Sequence, residues 1–220
     1  KERITRLCEE ITERGLHKKV VFYANARADK VDFETLKKMK QASMIEISMG
    51  VESGNQQVLN MVNKGIQLEQ YEQAYLWMHK LGFETRGSFI VGHPYETSET
   101  VRDTISFAKK LKLVRVSCCI MTPYPGTEVY KMALKNQGIH LVSRNWGDFT
   151  RYGRSVIRTD ELKKEDLEKY QKLFLTEFYT QPKVIFYHLL QFLKGNFSLY
   201  YYRPVIFAIC KRAASIFERF

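Results

Sequence analysis

Apolar positions along this chain switch repeatedly between helical and extended spacing, and the switching predicts the elements. Ile4, Leu7 and Ile11 fall on one helical stripe, so Ile4 to Arg14 is expected to be an amphipathic helix in which the chain opens, without a signal peptide. Val20 to Asn25 and Met44 to Val51 are apolar, β-branched runs that predict strands. Between them Asp32 is placed to N-cap a helix reaching about Gln41, with Val31 and Leu36 as a hydrophobic staple. A second crossover helix is expected over Leu68 to Leu81, stopped by Gly82. Thr85 to Val91 predicts the third strand, Thr97 to Leu111 a helix capped by Thr97 or Ser98, and Val114 to Met121 the fourth strand.

Strands separated by helices at intervals of about 25 to 40 residues imply right-handed parallel βαβ units. Four such strands leave two bare sheet edges, for which missing partner strands are the simplest explanation. Beyond the proline-rich loop Thr122-Pro123-Tyr124-Pro125-Gly126-Thr127, a short helix is expected over Glu128 to Gln137 and a long amphipathic one over Asp160 to Thr180. The division expected is an α/β domain over residues 1–150 and a helical, basic, aromatic extension over 151–220, with helices on either side of Gly195-Asn196. Apolar runs in that tail fall far short of the roughly 20 residues of a spanning helix.

Composition sharpens this only locally. The net charge is +11, and from Pro182 onward six Lys or Arg accompany one acid, Glu218. The tail's cations are interleaved with Leu, Phe and Tyr, including Tyr200-Tyr201-Tyr202, which favours packing or peripheral contact with a membrane surface over nucleic acid. Cys8, Cys118, Cys119 and Cys210 include no Cys-x2-Cys pair and are expected to be reduced thiols of a cytoplasmic protein. The histidines show no pairing with Cys or acids at ligand spacing, and His93, before Pro94, is expected to be structural.

Polar groups gather at the strand ends. Asn25 and Arg27 share an orientation if the first strand persists; Glu52, Ser53 and Gly54 end the second; Ser88, Ile90, Val91 and Gly92 end the third. At the C-terminal mouth of a parallel barrel such residues converge on one pocket. A carboxylate there accepts two hydrogen bonds from a vicinal diol, so Glu52 suits a nucleoside ribose.

The order Ala-Arg-Ala-Asp, then Gly-Val-Glu-Ser-Gly with Asn-Lys-Gly, then Ser-Phe-Ile-Val-Gly-His-Pro-x-Glu-Thr, then Thr-Pro-Tyr-Pro-Gly-Thr resembles strands three to six of the radical S-adenosylmethionine (SAM) partial (β/α)6 TIM-like barrel. That resemblance implies SAM and a [4Fe-4S] cluster, whose Cys-x3-Cys-x2-Cys ligands are not in this chain. It implies that Glu52 holds the SAM ribose, with Ser53 and Gly54 beside it, and that Lys64 takes the methionine carboxylate. Asn25, Arg27 and Ser88 would serve the methionine end, and Ile90, Val91 and Gly92 would pass the adenine by their backbone. The Gly-x-Ile-x-Gly-x-x-Glu motif is broken at Ser88 and at Tyr95, which precedes Glu96. Glu177-Phe178-Tyr179-Thr180-Gln181-Pro182 resembles a segment of cobalamin-dependent members related to the anaerobic magnesium-protoporphyrin cyclase, which adds cobalamin to the implied cofactors. A small-molecule substrate and an electron donor such as flavodoxin or ferredoxin complete that picture. Two rival readings are a barrel fragment that binds a nucleoside without redox chemistry, and a methylthiotransferase-like modifier of tRNA.

Overall fold

The computed structural model describes residues 1–194; the tail helix expected beyond Gly195-Asn196, the Tyr200-Tyr201-Tyr202 run and Cys210 lie outside them. Helix α1 (Glu2–Glu13), strand β1 (Phe22–Ala26), helix α2 (Phe33–Gln41) and strand β2 (Met44–Glu52) come first. Helices α3 (Gln56–Met61) and α4 (Leu68–Lys80) lead to β3 (Glu84–Val91), and α5 (Ser98–Lys110) leads to β4 (Arg115–Ile120). Then follow α6 (Glu128–Leu134), β5 (Ile139–Leu141), β6 (Ile157–Thr159), α7 (Lys164–Tyr179) and α8 (Pro182–Leu193).

The four long strands form one sheet in the order β1-β2-β3-β4, and β2 runs parallel to both β1 and β3. A monotonic order with right-handed crossovers sets the connecting helices on one face of the sheet, as in a barrel wall. The chain divides into two compact units, Lys1–Phe89 with Ser106–Ser117, and Ile90–Ile105 with the residues from Cys118 onward.

In the first unit the helix-facing side of the sheet is apolar. Ile47, Met49 and Val51 of β2 are fully buried, as are Leu36, Leu59, Tyr71 and Tyr75 from the helices; each contributes about 1.5–3 kcal/mol by leaving water. Packing is close enough that Gly87 of β3 admits no side chain, since a Cβ there would lie 2.9 Å from both Leu113 and the Phe89 ring. Local signals set the boundaries: the Asp32 carboxylate accepts from the Thr35 N–H at 2.8 Å, and Gly82, at φ +72°, ends α4. The opposite face is polar. It carries Tyr23 and Asn25 of β1, Glu46, Ser48, Gly50 and Glu52 of β2, and Glu84, Arg86 and Ser88 of β3. At its lower end Arg115 of β4 pairs with both Glu46 and Glu84.

In the second unit β5 and β6 pair antiparallel, with Ile139 opposite Thr159. The backbone N–H of Ile120 donates to the Arg151 carbonyl at 2.9 Å, and the buried Gln171 donates to the Cys118 carbonyl at 2.9 Å. A loop and one glutamine therefore cover β4 along a margin expected to be bare. Helix α8 buries Val184 and His188 but exposes Phe186, Leu189, Leu190 and Leu193 on its other side.

Several expectations need correction. The first strand starts at Phe22, leaving Val20 and Val21 exposed, and the helices expected from Glu128 and Asp160 are Glu128–Leu134 and Lys164–Tyr179. Helix α3 and the β5–β6 pair were not expected at all.

Candidate functional site

The site in the first unit is built where β2 ends. Glu52 is the last strand residue and adopts the left-handed backbone conformation, φ +69°, an uncommon state for a residue with a side chain that costs on the order of 1 kcal/mol or more. The β2–β3 register slips between Gly50 and Glu52. In this bulged stretch the Gly50 carbonyl accepts a hydrogen bond from the Tyr71 hydroxyl at 2.9 Å. Burial drives the Tyr71 phenol well above its ordinary pKa, with the nearby Glu52 charge adding to it, so the hydroxyl stays a donor.

From Glu52 the chain turns through Ser53, whose Oγ accepts from the Asn55 N–H at 3.1 Å. The Asn55 side chain caps α3 by accepting from Gln57 and Val58. Left-handed turns at Asn63 and Gly65 then bring Lys64 back over the strand. Its Nζ donates to Glu52 Oε1 at 3.1 Å, and both side chains are largely shielded, at 18% and 24% exposure. Gly50 lies directly beneath: a Cβ there would sit 2.5 Å from Glu52 Oε1 and 3.4 Å from Lys64 Nζ. The missing side chain is what admits the pair. Arg27 braces the arrangement by donating to Asp29 at 3.0 Å and to the Lys64 carbonyl at 3.2 Å.

Of the predicted residues, Glu52, Lys64 and Arg27 are thus brought together, with Ser53 and Gly54 buried in the turn that joins them. Ser88 is the register partner of Gly50 and accepts from Ser117 at 3.2 Å. Asn25 lies exposed on the same face, opposite Ser48. Arg27 is committed to positioning Lys64.

Ile90, Val91 and Gly92 belong to the second unit. There the Gly92 loop is organised by a residue not expected to have a role: Glu96, fully buried, accepts from the N–H groups of Gly92 and His93. Burial pushes its carboxyl up to about 7 against the pull of those two donors. The signal was present in the sequence as an acid one place beyond the motif position. Tyr95 takes a left-handed conformation, φ 60°, and lays its ring where a Cβ on Gly138 would collide with it. Glu96 is thereby turned inward. His93 is buried. His140, which has no acid at ligand spacing in the sequence, meets Asp160 at 2.6 Å and Asn136 at 3.0 Å through the fold.

The donor set decides what these residues fit. Glu52 offers acceptors for a diol and Lys64 a cation for a carboxylate, both seated in the space that Gly50 leaves, a donor and acceptor set compatible with SAM. Among the described residues no three His, Cys, Asp or Glu side chains converge, and Cys8 and Cys118 are buried; these residues do not fit a [4Fe-4S] cluster.

The family model described as the radical SAM superfamily matches residues 1–108. An uncharacterised methyltransferase of Pyrococcus horikoshii is 32% identical over 84% of this chain and 39% of its own. The anaerobic magnesium-protoporphyrin IX monomethyl ester cyclase of Rubrivivax gelatinosus is 29% identical over 60% of this chain and 24% of its own. The chain therefore spans well under half the length of these relatives. Among solved structures, the radical SAM methyltransferase TsrM of Kitasatospora setae superposes with a TM-score of 0.57 at 17% identity, covering 64% of this chain and 30% of that one. The archaeal Elp3 of Methanocaldococcus infernus gives 0.54 at 16%, covering 74% and 34%. Both establish the likeness of fold.

Proposed function

Because this chain belongs to the radical SAM superfamily, we propose that it supplies the SAM-holding half of the barrel of a radical SAM enzyme of the cobalamin-dependent methyltransferase or cyclase type. The observation that carries the reading is the Glu52–Lys64 pair held over Gly50 at the end of β2. Glu52 would accept from the ribose diol and Lys64 would face the methionine carboxylate. Without ligand the two side chains neutralise each other and hold their positions. Binding exchanges that ion pair for a diol and a carboxylate, so neither charge is stranded at a half-buried site. In the second unit Glu96 fixes the Gly92 loop by accepting from the N–H groups of Gly92 and His93.

In the whole protein a [4Fe-4S] cluster held elsewhere would supply the redox chemistry, and Glu52 and Lys64 would hold and orient SAM. The cluster ligands, any cobalamin site and the docking site of a donor such as flavodoxin or ferredoxin are assigned in this reading to parts of the protein other than these residues. The cobalamin-type assignment draws support from the names of the relatives above and from the Phe178-Tyr179 segment.

The test is calorimetric titration of SAM into the anaerobic full-length protein. Glu52→Ala should weaken binding by roughly 1.5–3 kcal/mol, the scale of hydrogen bonds to a charged group. Lys64→Ala should cost less, since its ammonium is a point charge without bidentate geometry. Unchanged affinity in Glu52→Ala with the fold intact would refute the ribose assignment.

A further inference from the structure

Among the described residues on the polar face of the sheet in the first unit, every cation but one is already matched. Arg27 holds Asp29, Lys64 holds Glu52, and Arg115 holds both Glu46 and Glu84. Arg86 shares this face, because it lies between Glu84 and Ser88 in the alternation of β3, and those neighbours contact Arg115 and Ser117. Its guanidinium has no hydrogen bond or ion pair with any described residue. Directly across the register is Ser48, and across from Ser48 is Asn25. One step along the strands the residues are Gly50 and Ser88. Small and neutral side chains therefore flank an unengaged fork of five donors.

We propose that Arg86 is the recognition point for a carboxylate on the substrate, in a site distinct from the one that holds the methionine carboxylate; this rests on the superfamily reading above. The unused donors call for an anion, and the nearby acids limit it to a single negative charge. One row down, two acids share one arginine and leave about one negative charge, which balances Arg86 at a distance but leaves its donors unused. One carboxylate completes bidentate geometry at Arg86. A phosphate dianion would bring two negative charges between those acids and Glu52. Each same-face step along a strand is roughly 6.5–7 Å. A carboxylate on Arg86 therefore places the substrate's reacting carbon several bonds away, toward the rows of Gly50 and Glu52.

Saturation-transfer NMR on the anaerobic full-length protein tests this with butyrate, butyramide and methylphosphonate. SAM is held at saturation so that Lys64 is occupied, and a parallel series without SAM uses the Lys64→Ala background. Butyrate should bind in preference to both other probes. Arg86→Gln should weaken it at least about tenfold, Arg86→Lys should weaken it less, and SAM affinity should stay within about twofold in both. Failure of butyrate to bind the wild type, preference for methylphosphonate, or equal butyrate affinity in Arg86→Gln overturns the proposal. So does a parallel fall in SAM affinity, which would place Arg86 in the nucleoside site. If Arg86→Gln does not fold, the Arg86→Lys comparison decides. If the wild type does not bind SAM, the reading of Glu52 and Lys64 fails, and the SAM-free series still decides Arg86.

Discussion

Gly50→Ala separates the shape of the site from the stability of the fold. The added methyl would stand 2.5 Å from Glu52 Oε1, about 1 Å inside ordinary contact, whereas Lys64 Nζ at 3.4 Å is barely touched. Because Gly50 is not among the left-handed residues, alanine fits its backbone, and the clash falls on the far end of a side chain that swings away. Losing the 3.1 Å pair of partly shielded groups costs about 1 kcal/mol at most. Replacing a strand glycine regains about 0.5–1 kcal/mol, so net stability should change by roughly half a kcal/mol or less. SAM affinity should nevertheless fall by about 1.5–3 kcal/mol, or roughly 10- to 150-fold, as Glu52 loses its alignment. Anaerobic calorimetry on full-length wild type and variant, with thermal melts alongside, reads both quantities. In a Glu52→Ala background the same Gly50→Ala change should cost nothing further. SAM binding within twofold of wild type in Gly50→Ala, with an unchanged melt, refutes the reasoning.

Glu96 prefers its protonated form in the fold, with a pKa of about 7 against the usual 4.5. Its contribution is complete below pH 4.5 and is lost as pH rises through 7, so the urea midpoint should fall between pH 4.5 and 8, equivalent to roughly 2–3 kcal/mol. Glu96→Gln should flatten that slope, and an identical slope in the variant would rule the assignment out. Residues 1–220 alone should reconstitute no [4Fe-4S] cluster under anaerobic conditions; a stoichiometric paramagnetic signal from the reduced cluster would contradict this. Helix α8 exposes Phe186, Leu189, Leu190 and Leu193 between Lys183 and Lys194, and anionic vesicles should retain the full-length protein at low salt. Phe186→Asp with Leu190→Asp should release it, and co-sedimentation indifferent to that pair excludes lipid contact through this helix.

How far the fold was legible follows from the range over which each element is decided. The long strands, the Asp32 cap and the Gly82 stop are set by neighbours in sequence, and each lies within a residue or two of its expected place. Strands β5 and β6, of three residues each, are too short to show a period of two and exist because the chain returns to pair them. Helix α3 buries only Val58 and Leu59, too few to mark a stripe. The site divides the same way. Glu52 was legible because a strand-ending carboxylate has a recognisable chemistry, whereas its pairing with Lys64 depends on the turns at Asn63 and Gly65. Glu96 was missed because motif spacing assumes an ordinary backbone, and the left-handed Tyr95 moves the inward position one residue on. Arg86 was hidden for another reason. Alternation along β3 tells which residues share a face but not how they are partnered, and only the ion pairs of Arg115, Lys64 and Arg27 show that, among the described residues of that face, the Arg86 guanidinium is left unengaged.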